Sequence, residues 1–128
     1  MNLAGALAVA SGAALGALLR WLLGLGLNHL WPLLPLGTLA ANWLGAYVIG
    51  LFMGWGLLQP GWSDTVRLFW VTGLLGGLTT FSSFSLEAVS LLQRQLWGET
   101  VVHVSLHVFG SLLLTLAGVA SVQLLRQT

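Results

Sequence analysis

Charge is nearly missing from this chain. Four basic and three acidic residues are spread over 128 positions, 5% of the sequence, where soluble domains carry roughly 25%. So few charges do not cover the surface of a soluble protein of 13.6 kDa. Lipid must be the solvent for most of that surface. Cysteine is absent altogether, which excludes disulfides, thiolate metal sites and thiol nucleophiles. A net charge of +1, scattered along the chain, provides no footprint for nucleic acid. Met1 to Val9 hold no basic residue, so the first apolar run reads as a retained helix and not as a signal peptide. No Ser–His–Asp arrangement and no phosphate-binding motif occurs, so catalysis is not expected.

What fills the space is apolar: 57% of the residues, seven of them Trp, and indole favours the membrane–water interface. Four apolar stretches follow one another, each with the roughly 20 residues that a crossing needs. The first is predicted from Leu3 to Leu27, ending at Asn28, with Pro32 and Pro35 marking the loop behind it. The second is predicted from Thr38 to Leu58, stopped by Gln59-Pro60-Gly61, and the fourth from Val101 to Leu125. The third, from Asp64 to Gln95, is too long, since its 30-odd positions would reach about 45 Å. Gly73, Gly76 and Gly77 lie in its first half, so a break is predicted near Gly76–Thr79. The expected fold is an all-α membrane protein, one four-helix domain over residues 1–128.

Four crossings put both termini on one side. Arg67 and Arg126 then share that side, and Arg20 and Arg94 lie toward the other. Orientation normally follows an excess of basic residues on the cytoplasmic side, and two against two is no excess. Such a chain can insert either way up, and opposite copies would meet as an antiparallel dimer. Small residues recur four apart at Gly12/Gly16, Ala46/Gly50/Gly54 and Gly73/Gly77, a spacing that lets helix backbones approach closely. They serve packing within the subunit, with some faces expected to serve a partner chain.

Polar residues at bilayer depth carry the functional information. Thr38 and Asn42 share a helix face; Asn42 either bonds another helix or lines a water-filled path. His103, His107, Ser111 and Thr115 recur every four residues, a slanting stripe about 18 Å long. It suits the wall of a polar path, although Ser and Thr also bond back to their own helix. Two His at this spacing are a metal pair lacking a third ligand that the sequence makes evident. In Gly76-Gly77-Leu78-Thr79-Thr80-Phe81-Ser82-Ser83-Phe84-Ser85, two aromatics sit among five hydroxyls. Phe81 and Phe84 are either core packing or the lining of a path. Carbonyls freed by the break need a partner at that depth, and a cation is one. Glu87 is the one acid inside a span, and intramembrane carboxylates are functional candidates.

Three strings, Gly16-Ala17-Leu18-Leu19-Arg20-Trp21, Gly37-Thr38-Leu39-Ala40-Ala41-Asn42 and Gly76 through Ser85, resemble the signatures of the Fluc (CrcB) fluoride channels. The spacing of all four spans matches as well, so the resemblance covers essentially the whole chain. It implies an antiparallel, dual-topology homodimer in the cell inner membrane, with two fluoride pores. By the same resemblance Asn42 is the pore amide beside Thr38, Phe81 and Phe84 are the paired aromatics of the fluoride route, and Ser111 and Thr115 continue the track. A structural Na⁺ at the dimer centre is implied on the backbone carbonyls of Gly76 and Thr79, and Arg20 is implied in the vestibule.

Two rivals share the size and helix count. A small dual-topology multidrug exporter needs a titratable acid, usually within its first span, and no acid precedes Asp64. A non-transporting membrane assembly subunit accounts for the glycine spacing but leaves the Asn42, Phe81/Phe84 and Ser111/Thr115 constellation unexplained.

Overall fold

The computed structural model describes residues 1–56 and 61–128. Among them four helical spans are long and apolar enough to cross a membrane, and no strand occurs. The first helix is Leu3–Leu27, as predicted. Asn2 caps its start by accepting from the Gly5 N–H at 2.7 Å. Asn28 closes its end, and its side-chain oxygen accepts from Gly37 N–H at 2.7 Å. That bond ties the end of the first helix to the opening turn of the second, Leu36–Gly54.

The second helix begins at Leu36 because Pro35, with its φ fixed and no N–H, is suited to the boundary. It ends at Gly54 and not at Leu58; Leu58, Gln59 and Pro60 lie outside the described residues. The fourth helix is Trp97–Gln127, four residues earlier than the hydropathy pattern alone suggests. Its start is set by a tight turn, in which Gln95 N–H bonds Leu92 O at 2.9 Å and Leu96 N–H bonds Leu91 O at 3.0 Å. This paired bonding closes a helix with a left-handed residue, and Gln95 takes that conformation at φ 57°. The third span therefore ends at Gln93, short of the predicted Gln95.

That span, Asp64–Gln93, is broken as expected. Ser63 caps a short α turn, Asp64–Arg67, which widens to π-type winding over Leu68–Leu75 before a last α turn at Gly76–Leu78. The break does not fall on the glycines. Gly76 is helical, and the extended residues are Thr79 (ψ 154°) and Thr80 (φ −149°, ψ 120°). Thr80 then caps the second half, Phe81–Gln93, by accepting from Ser83 N–H at 3.0 Å.

The glycines bring backbones together instead. A Cβ on Gly77 would lie 2.9 Å from Ala13 Cα, and one on Gly16 would lie 2.6 Å from Leu78 N. The first helix thus presses directly on the front half of the third span. Gly50 and Gly118 do the same for the second and fourth helices: a Cβ on either would meet the other residue at 3.1 Å or less. These small-residue contacts are spent within the chain. Trp43 Nε1 donates to Leu106 O at 2.9 Å and Thr115 Oγ1 to Ala46 O at 3.0 Å, further joining that pair. Leu, Val and Trp side chains stay exposed along the outside, including Trp31, Trp55 and Trp97 near the span ends. The molecule is a multi-pass membrane protein.

Candidate functional site

Asn42 sits opposite the break and plugs it. Its oxygen accepts from Thr80 N–H at 2.7 Å, and its Nδ2 donates to Thr80 O at 3.0 Å. A carboxamide is the chemical image of a peptide group, so it satisfies both backbone groups of the extended residue. The same Nδ2 lies 3.1 Å from His107 Nδ1. With the amide oriented by Thr80, that nitrogen donates and His107 Nδ1 accepts. Neutral His107 then carries its proton on Nε2, an atom that is buried without a hydrogen-bond partner among the described residues.

Around this point lies an open groove of about 580 Å³. Asn42, Thr79, Thr80, Phe81, Phe84, His107, Ser111 and Thr115 all line it, together with Gly76. The residues singled out on three separate spans therefore converge on one surface. Phe81 and Phe84 stand 5.5 Å apart between ring centroids, but their surroundings differ sharply. Phe84 is 9% exposed and packs on His103 and His107, whereas Phe81 is 77% exposed. Core packing accounts for Phe84 and fails for Phe81. Thr115 uses its hydroxyl across to the second helix and not back on its own.

Arg20 and Thr38 lie elsewhere. They line a second groove of about 450 Å³ with Asn28, Ser83 and Glu87. Arg20 Nε donates to Gly77 O at 3.1 Å, where its cation also suits the carbonyl end of the interrupted helix. Thr38 Oγ1 donates to Glu87 Oε1 at 2.6 Å. Glu87 Oε2 faces His103 Nε2 at 3.5 Å. Thus the fold supplies what the sequence did not make evident, a third donor beside the His103/His107 pair. Glu87 and His103 are 16 positions apart on antiparallel stretches, and no periodicity joins them.

With this geometry in place, a family model described as CrcB-like protein, Camphor Resistance (CrcB), matches residues 7–119. The chain belongs to the CrcB family. A relative from Chromobacterium violaceum is 54% identical over 125 residues, covering 94% of this chain and 96% of its own. One from Thiobacillus denitrificans is 52% identical over 120 residues, with 94% and 97% covered. Both relatives are named fluoride-specific ion channel FluC. CrcB proteins of this kind are ion channels and not enzymes, and this CrcB chain shares their length nearly end to end.

Proposed function

We propose that the chain is a passive, fluoride-selective channel that lets fluoride leave the cytoplasm across the cell inner membrane. The observation that carries this reading is the groove, where an amide, hydroxyls and a pair of phenyl rings converge at a helix break. The names of the close relatives supply the ion. Fluoride holds its water tightly, so a path must offer directed donors in exchange. Ser111 brings a hydroxyl, Thr115 one that already donates to Ala46 O, and Asn42 an amide. The positive edge of a phenyl ring favours an anion weakly. Both Asn42 N–H groups already have acceptors, so an arriving ion competes for them and is not trapped. Passage needs such a balance between entry and release. Arg20 lies in the other groove, bonded to Gly77, so among the described residues no arginine or lysine lines the proposed path.

The groove is open along one side and its lining is mostly apolar, which suits closure by a second copy. In this reading the copy is antiparallel, in keeping with the two-against-two arginines, and each dimer of such 1–128 units has two pores. A structural Na⁺ fits the break between the halves of the third span. Thr80 N–H serves Asn42, so Gly76 O loses its α-helical partner. Gly76 and Thr79 both border the open side. Their carbonyls would hold the ion, which supplies a fixed positive centre there. Undissociated HF crosses lipid and ionises in a less acidic cytoplasm, and a passive pore lets the stranded fluoride out.

The test is efflux from liposomes containing the purified protein, followed with a fluoride electrode, with chloride compared in parallel. Fast fluoride release with little chloride flux is expected without any pH gradient or ATP. Folded protein that releases no fluoride would end the reading. Phe81→Ile is expected to lower that efflux by roughly tenfold or more, because Ile keeps apolar bulk but has no polarised edge. The ring is 77% exposed, so the folded subunit loses little, and the melting temperature should stay near wild type. Full efflux in this variant would remove Phe81 from the path.

A further inference from the structure

Between the two grooves, Glu87, His103 and His107 form a cluster; His107 also lines the proposed fluoride groove, whereas Glu87 and His103 have no part in that route. One donor atom from each lies within 4.8 Å of the others. The two imidazoles are buried, with 1% and 5% of their surfaces exposed. Two of the cluster's atoms, Glu87 Oε2 and His107 Nε2, are buried without hydrogen-bond partners among the described residues. Polar atoms without a hydrogen bond at such depth are costly. Glu87 Oε2 has only the 3.5 Å approach of His103 Nε2, and His107 Nε2 has no hydrogen-bond partner among the described residues, which points to a ligand. We propose that this cluster is a binding site for a divalent first-row transition-metal ion, with Zn²⁺ as the natural probe.

The donor set selects that class. Two imidazole nitrogens and one carboxylate suit Zn²⁺, Ni²⁺ or Cu²⁺, whereas Mg²⁺ and Ca²⁺ take all-oxygen shells. Three protein ligands with a fourth position left to water is a common zinc arrangement. Ligand atoms about 2.05 Å from a tetrahedral ion lie roughly 3.3 Å from one another. Glu87 Oε2 and His103 Nε2 are already 3.5 Å apart, close to one edge of the tetrahedron, and ligation there replaces the 3.4 Å bond of His103 Nε2 to Phe84 O. The remaining edges close by about 1.5 Å at most. Glu87 is steadied from behind, since its other oxygen accepts from Thr38. The ion has an entry route, because Glu87 borders one groove and His107 the other.

Ligation has a consequence at Asn42. An ion on His107 Nε2 takes the lone pair there and moves the ring proton to Nδ1, which now faces Asn42 Nδ2. The amide must turn its oxygen toward that proton and give up its bonds to Thr80. The ion and the Asn42–Thr80 clamp therefore compete, which weakens binding by roughly tenfold or more relative to an uncoupled site. The site thus couples metal occupancy to the residue that plugs the break.

Isothermal titration of Zn²⁺ into metal-free protein in detergent tests this without reference to transport. One ion per chain is expected. His103→Ala and the nearly isosteric Glu87→Gln should each weaken it by about tenfold or more. His29→Ala should leave it unchanged, since His29 is exposed on the loop side of the first helix. Co²⁺ in the same site should show the visible absorption of a four-coordinate ion, which His103→Ala should abolish. No saturable uptake, or uptake that survives both His103→Ala and Glu87→Gln, would overturn the site. So would loss of uptake on His29→Ala alone.

Discussion

Asn42→Asp is expected to lower fluoride efflux by roughly a thousandfold while leaving the protein folded. The substitution preserves shape and one of the two clamp bonds, because a carboxylate oxygen still accepts from Thr80 N–H. It removes the donor that serves Thr80 O and His107. It also sets a negative charge on the wall of an anion path. Two like charges about 4 Å apart repel by about 4 kcal/mol at an effective dielectric near 20. At about 1.4 kcal/mol per tenfold, that is roughly three decades of rate. Efflux measured beside a folding check, such as gel-filtration behaviour in detergent, separates the two effects. Wild-type efflux from folded Asn42→Asp protein would take Asn42 off the route.

Gly16→Val should be nearly as damaging, through a different cause. A Cβ there runs into the backbone of the third span, with Leu78 N 2.6 Å away and Leu74 O nearer still. Backbone atoms cannot rotate aside as a side chain does, so the helices must part. Overpacking of this kind commonly costs about 1–3 kcal/mol, occasionally more, and a branched side chain at the tightest point of a crossing belongs at the high end. Leu78 immediately precedes the two extended threonines, so the parting also displaces the break. Gly26→Val is the matched control. It lies on the same helix, and a Cβ there meets nothing within 4 Å. The expected result is a much lower melting temperature and lost efflux for Gly16→Val, with near wild-type behaviour for Gly26→Val. Equal effects at both sites would mean that the crossing does not set the cost.

How far the sequence foretold these features depends on the distance over which each is decided. The first helix was legible at both ends because its apolar run is bounded by Asn2, which caps Gly5 N–H, and by Asn28, whose N–H makes the last bond to Gly24 O. The end of the second was misjudged, since hydropathy stays high through Leu57 and Leu58 although the helix stops at Gly54. That the third span breaks followed from its length. The predicted neighbourhood, Gly76–Thr79, holds as well, since Thr79 is the first extended residue. What was not legible is that the glycines serve packing, which the neighbouring Ala13 and Leu78 decide. Asn42 stood out as a costly amide, yet only the fold shows it paired to Thr80, 38 residues on. Glu87 was conspicuous without a role. Its contacts with Thr38 and His103 arise from three spans meeting, a relation no local pattern encodes.

The plugged break also bears on how the chain is made. The third span is the least hydropathic of the four, at 1.2 against 2.0 for the fourth, and its open backbone groups oppose partition into lipid on its own. Its two supports, Arg20 and Asn42, belong to the first and second helices. A ribosome working from the N-terminus delivers both before Thr80 emerges. The interrupted segment therefore enters the bilayer onto a hairpin already waiting for it, and it need not survive there alone. Moving the first two helices behind it by circular permutation would reverse that order, leaving the translocon to insert the weakest span before its supports exist.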